Sequence, residues 1–215
     1  KVESDPLLDI VHEESDFVVV NKPSGLLSVP GRGPEKSDCV SNRVRARYPG
    51  CIEQPAVHRL DMDTSGLMVV AREVAAHRNL SIQFHQRRTK KRYVALLEGE
   101  LRGEHGVLEL PFRLDVDNRP MQIYDPVHGK MGITRWEKLS VENGHTRVLF
   151  EPLTGRTHQL RVHSAHVRGL GIPIVGDPLY GHGTGPAQLK LHARDLGFFH
   201  PVTGKELAFH SPVPF

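Results

Sequence analysis

Two strand-like runs, ITRWEKLSV (133–141) and TRVLFEPL (146–153), are separated by Glu142-Asn143-Gly144-His145. Asn-Gly suits a tight hairpin turn, because both central residues there need positive φ. This turn constrains the fold more than any other short stretch, since it commits the flanking runs to antiparallel pairing. The same logic recurs twice. LDIVHEESDFVVVNKP (8–23) reads as two short strands around Glu14-Ser15-Asp16, and LKLHARDLGFFHP with KELAFHSP makes a hairpin around Val202-Thr203-Gly204. GLMVVAR (66–72) and RYVALLEG (92–99) read as further strands.

Helices fill some of the gaps. Ser37 or Asp38 is expected to cap a helix carrying Val40 and Val44, stopped by Pro49-Gly50. Ala76, Leu80 and Phe84 recur at spacing four and predict an amphipathic helix over 73–87. THQLRVHSAHVR (157–168) suits a helix closed by Gly169 and Gly171, and the glycines and prolines of 23–36 indicate a loop. Hairpin-linked strands with inserted helices give an α+β fold whose sheet is mixed and largely antiparallel. No repeat or linker divides the 215 residues, so a single domain is expected, with a core from about residue 10 to 210.

A chain of this size buries enough surface to need neither disulfide nor metal. Its two cysteines, Cys39 and Cys51, are too few for a disulfide framework and suit a reducing compartment. No apolar run approaches the ~18 residues of a membrane span. Net charge is only +3, but RRTKKR (87–92) packs five cations into six residues. Such a block is either a solvated connector or a surface facing a polyanion, and RVRARY (43–48) adds weight to a phosphate-facing surface.

HRLDMDTSG (58–66) sets Asp61 and Asp63 beside Arg59, just before a buried-looking strand. A loop carboxylate there can act as nucleophile or general base if a cation balances it, and Arg59 and Arg161 are candidate partners. By itself the segment reads better as a polar turn that Asp61 caps, with Thr64 and Ser65 satisfying backbone groups. Two carboxylates in one turn suit glycoside hydrolysis poorly, because that chemistry needs them on either side of a sugar; Asp63 is expected to be exposed or structural. His158, His163 and His166 are spaced five and three apart, unlike a zinc helix, so no metal site is expected. Tyr93 could stack on a base or pack in a core. Gly155-Arg156-Thr157 could form a helix entry that holds phosphate.

Six strings then occur in order: NKPSGLLSVP (21–30), HRLDMDTSG (58–66), KKRYVALLEG (90–99), GRTHQLRVH (155–163), GDPLYG (176–181) and LHARDLGFFHP (191–201). Together they resemble the RluA family of pseudouridine synthases over nearly the whole chain. The resemblance implies a pseudouridine synthase fold with an RNA-binding cleft, and isomerisation of uridine in ribosomal RNA, tRNA or both without metal or organic cofactor. It implies that Asp61 is the catalytic aspartate, that Tyr93 packs on the target base, and that Arg161 is the basic partner of Asp61. Arg59, Arg87, Arg88, Lys90, Lys91, Arg92, Arg156 and His158 are expected to contact RNA. The chain is most similar to the small single-domain members without an N-terminal S4-type domain; RNA is the expected partner, a monomer is the default, and the two cysteines suit the cytoplasm. One departure is Ile172, which stands where relatives usually have a histidine before proline.

Two readings of other classes compete. One is an RNA-binding protein that kept the fold and lost catalysis. The other is a histidine-based metal hydrolase, which the spacing disfavours.

Overall fold

The structure, a computed structural model, describes residues 2–215. Among them are ten strands and three α-helices, and the chain divides into two compact units. The first runs through Lys91 and resumes over Ala193–Pro214; the second comprises Arg92–His192 with Phe215.

In the first unit β1 (Asp9–Glu13) pairs antiparallel with β2 (Phe17–Lys22), and β2 with β3 (Ser65–Ala71). β3 neighbours β9 (Leu191–Phe199), which also pairs antiparallel with β10 (Glu206–His210). All seven residues of β3 are buried, as a continuous apolar run between two neighbouring strands demands. Gly66 makes the β3 contact close: it has φ +121°, and a Cβ there would lie 2.3 Å from the Ala193 carbonyl oxygen. Phe17, Val19, Leu67, Val69, Leu196 and Phe198 form the core with Ala76 and Leu80 of α2 (Val74–His85). The period-four stripe thus faces the sheet as expected.

α1 (Val40–Arg47) buries Val40 and Val44, but neither Ser37 nor Asp38 caps it. Its N-cap is Cys39, with no side-chain cap bond. Asp38 is drawn away by Arg43, whose Nε and Nη2 donate to its two oxygens at 2.8 and 2.9 Å. A charge-assisted fork outcompetes a single cap bond.

In the second unit the order is β4-β8-β7-β5-β6, comprising β4 (Lys90–Leu97), β5 (His105–Leu114), β6 (Gln122–Tyr124), β7 (Lys130–Glu142) and β8 (His145–Pro152). Asn143 and Gly144 join β7 to β8 with φ 53° and 80°, the two-residue turn expected. β4 starts two residues earlier than the strand read from sequence, so Lys90 and Lys91 are strand residues rather than a connector. β5 and β6 had no expectation at all. Ala95, Leu97, Val148, Phe150, Leu160 and Ile174 form the core here, and Ile172 packs against it. That gives the departure at Ile172 a physical role as an apolar contact.

α3 spans only Gln159–Ala165. His158 is left-handed at φ 56°, and the Gln159 side chain holds the approach: its Oε1 accepts the Thr154 hydroxyl at 2.6 Å and the Arg156 N–H at 3.0 Å. These bonds fix the chain outside helical geometry until Gln159. Extended backbone at His166 ends the helix before either glycine. Among the described residues no helix is long and apolar enough to cross a membrane.

Candidate active site

Asp61 opens a turn at the head of β3, closed by the Thr64 N–H donating to the Asp61 carbonyl at 3.1 Å. The segment is clamped from outside by the NKPSGLLS loop. Ser28 Oγ donates to the Leu60 carbonyl at 2.6 Å and accepts the Leu60 N–H at 3.0 Å. Ser24 Oγ donates to the Asp63 carbonyl at 2.7 Å, and the Gly25 N–H to the Met62 carbonyl at 2.8 Å. Asp61 is half-buried, while Asp63, Thr64 and Ser65 are buried, so of the two places expected for Asp63 the exposed one is ruled out.

Beneath the turn lies Lys22, which is 1% exposed. Its Nζ donates to the carbonyls of Pro23, Leu26 and Met62 at 2.9, 2.6 and 2.7 Å. Three hydrogens meet three carbonyls, as a fully satisfied ammonium requires. Burial pulls the lysine down to about 7, opposed by the charges of Asp63 and then Asp61. Lys22 was not singled out from sequence, although it sits in the quoted NKPSG string; a lysine followed by Pro-Ser-Gly looks like surface.

His58 begins the same segment. Its Nε2 accepts the Val69 N–H at 3.0 Å, and its ring stacks on Phe84 with centroids 4.3 Å apart. Burial, and secondarily Lys91, pushes its pKa down to about 3, consistent with a ring that accepts from the backbone. Arg59 is exposed.

In the second unit Tyr93 stands on β4 opposite Phe150, half-buried against the core. Arg161 sits on α3, 5% exposed. Its Nε and Nη2 donate to the two carboxylate oxygens of Asp177 at 3.0 and 2.7 Å. Asp177 is fully buried, and its Oδ1 also accepts the N–H groups of Leu179 and Tyr180. The Arg161 guanidinium carbon lies 5.4 Å from the Tyr180 ring centroid. The Tyr180 hydroxyl accepts the Gln122 N–H at 2.9 Å and bonds His158 Nδ1 at 2.6 Å. Asp177 and Tyr180 both come from GDPLYG, yet neither was picked as a site residue, because only the folded chain reveals what sits under Arg161.

The expected RNA contacts are distributed as follows. Arg87, Arg88, Lys90 and Arg92 are exposed, and Lys91 is half-buried with its pKa lowered by burial and by Arg87. Arg88 lies 5.3 Å over the Phe199 ring, and Arg92 is 4.0 Å from Glu151. Arg156 Nε donates to the Met131 carbonyl. The three histidines near α3 have separate partners: His158 meets Tyr180, His163 meets Thr134 Oγ1 at 2.8 Å, and His166 Nδ1 accepts the Arg168 N–H.

Elsewhere Glu14, Asp16 and His200 bring possible metal-ligand atoms within 4.8 Å of one another. His200 Nδ1 accepts the N–H groups of Val202 and Thr203, which leaves the proton on Nε2, donating to Glu14 at 2.7 Å. That tautomer ties two turns together and is the wrong one for a ligand through Nε2.

Residues 16–166 match the family described as RNA pseudouridylate synthase. The chain is 44% identical over 215 residues to the dual-specificity RNA pseudouridine synthase RluA of Haemophilus influenzae, covering 98% of this chain and 95% of the relative. The enzyme of the same name from Escherichia coli K12 is 43% identical, with the same coverage. Among solved structures, human RNA pseudouridylate synthase domain containing 1 superposes with a TM-score of 0.78 at 31% identity, covering all of this chain and 87% of that one. With a matched family model over most of its length and relatives this similar end to end, the chain belongs to the RNA pseudouridylate synthases, isomerases that act on RNA.

Proposed function

We propose that this protein converts uridine to pseudouridine at sites in folded ribosomal RNA, tRNA or both, as the names of its relatives suggest, with Asp61 as the catalytic carboxylate. The observation that carries the assignment is the clamped turn: Asp61 heads a wholly buried strand, and Lys22, Ser24, Gly25 and Ser28 hold the backbone on either side of it. Such anchoring supports catalysis because a misplacement of about 1 Å costs on the order of a hundredfold in rate.

The reaction breaks the bond from C1′ to N1, turns the base, joins C1′ to C5, gives up the C5 proton to solvent and takes up a proton at N1, so mass is conserved. Attack on the ring, attack on the sugar and removal of a ribose proton all need the Asp61 carboxylate ionised. Tyr93 packs on the base, and Arg161, oriented by Asp177, serves as the basic partner. The target base must first leave its stack, at a cost of a few kcal/mol that is smallest in a loop. Arg59, Arg87, Arg88, Lys90, Lys91, Arg92, Arg156 and His158 face the RNA, with Arg59 next to the catalytic turn. The protein works as a monomer in the cytoplasm, as one catalytic domain.

The test uses transcripts tritiated at C5 of uracil. Wild-type protein should release tritium, and Asp61→Asn should fall to background while still binding the RNA. Turnover by that variant would end the assignment. Raising salt from 50 to 200 mM should weaken binding by orders of magnitude if several phosphates are contacted.

A further inference from the structure

At the end of α3 three side chains form a stack that the reaction does not require. The rings of His166 and Tyr124 lie 5.3 Å apart, inclined at 30°. The Arg168 guanidinium carbon sits 4.9 Å from the Tyr124 centroid. The Arg168 N–H donates to His166 Nδ1 at 3.1 Å, which fixes the imidazole against the backbone that carries the arginine. Tyr124 is half-buried and anchored below, opposite Phe112 in the β5–β6 pairing and packed against Leu110, Phe112 and Val162. Arg168 is exposed, as is Val167 beside it.

The charges around the stack leave Arg168 open to an outside partner. No carboxylate pairs with Arg168 among the described residues. Asp125, the residue after Tyr124, is already engaged. It accepts the Arg113 Nε at 2.6 Å and the N–H groups of Val127 and His128, bonds that hold its pKa far below the usual carboxylate range. An exposed guanidinium lying on an anchored aromatic ring, with its charge uncommitted, is the arrangement on which a nucleobase stacks.

Its position is also informative. α3 carries both Arg161 and, at its C-cap, His166. β6 carries Tyr124 and also Gln122, whose N–H donates to the hydroxyl of Tyr180, the ring that lies beside Arg161. Two elements therefore link the stack to the arginine site.

We propose that Tyr124, His166 and Arg168 form a platform that takes one unstacked base of the RNA substrate, a neighbour of the uridine that reacts. This rests on the reading of the protein as a uridine isomerase. The platform binds by stacking, so it serves substrate affinity and leaves the chemical step alone.

The experiment places 2-aminopurine, one position at a time, around the uridine of the transcript that releases tritium. Binding to wild-type protein should quench the fluorescence at one of these positions. In Arg168→Ala and in Tyr124→Leu the quench should be lost and KM should rise about tenfold, with kcat within about twofold of wild type. Tyr124→Trp, which keeps an aromatic face, should keep both quench and KM. Quenching at no position, or unchanged KM in both variants alongside a lowered melting temperature, would overturn the platform and leave a purely structural stack. If Arg168→Ala raised KM while Tyr124→Leu did not, the arginine would be meeting a phosphate or a carboxylate, and the platform would again be rejected. Should no transcript release tritium, the same scan is run on the loop of a transcript that the protein binds, and quenching there would keep the platform and reject the isomerase.

Discussion

Among the described residues each unit buries one lysine or arginine, and they do it differently. Lys22 is surrounded by three neutral carbonyls, with Asp61 and Asp63 acting only through their fields. Arg161 is gripped by a carboxylate through two parallel bonds, and that carboxylate is itself held by two N–H groups. Dipoles satisfy hydrogen-bonding capacity but leave the charge largely uncompensated, so the lysine falls to about 7. A guanidinium does not titrate in this range and fits the planar fork. The lysine therefore holds backbone in place at the cost of a labile proton, whereas the arginine presents a permanent charge in a fixed orientation.

The largest expected effect comes from Asp177→Asn. It removes the carboxylate that takes two bonds from a buried guanidinium and should cost about 3–5 kcal/mol in urea unfolding. A loss below about 1 kcal/mol would erase the distinction between the two sites. Lys22→Met should cost less, about 1–3 kcal/mol, because the groups orphaned are neutral carbonyls that loop movement can expose to water. If it cost more than Asp177→Asn, the ranking of dipoles and carboxylate would be reversed.

Alkaline pH separates the two sites without mutating the arginine. Lys22 has a folded pKa of about 7 against an ordinary 10.5. Between those values the unfolded chain holds the extra proton, so this group makes stability rise with pH, by up to about 2 kcal/mol near pH 8.5. The rise should disappear in Lys22→Met and persist in Asp177→Asn. A wild-type profile flat from pH 7 to 8.5 would mean that the three carbonyl bonds keep the ammonium charged.

The smallest effect lies on the acid side, where the units should behave alike. His58 in the first unit and His163 in the second are both pushed down by burial, to about 3 and about 4. Each contributes stability that is full above its ordinary 6.5 and drains as pH falls towards the folded value, about 1 kcal/mol apiece by pH 5.5. His58→Phe and His163→Phe should each remove a similar share of the acid slope. A slope carried by one histidine alone would extend the contrast to acid pH.

Legibility in the sequence followed the range of the interaction. The Asn143-Gly144 turn, the buried β3 and the stripe of Ala76, Leu80 and Phe84 were readable because their causes lie within a few residues. The α1 cap was misread because Arg43 competes for Asp38, and a propensity rule does not see that competitor. The shortened α3 has a similar origin in the Gln159 side chain. Asp61, Tyr93 and Arg161 stood out through the strings that resemble a known family, and Asp61 does occupy a clamped turn. Lys22 and Asp177 were printed in the same strings but had no signal of burial, since a lone lysine or aspartate reads as solvated.

Local chemistry alone thus determined the hairpins, the amphipathic helix and the short polar segments that hold unusual residues. Tertiary structure decided which of those polar groups lose their water, and therefore which charges are shared, which are fixed and which can titrate. The physical reason is that desolvation is a property of the packed environment: three carbonyls reach Lys22, and a carboxylate sixteen residues away in sequence reaches Arg161, only after the chain has folded.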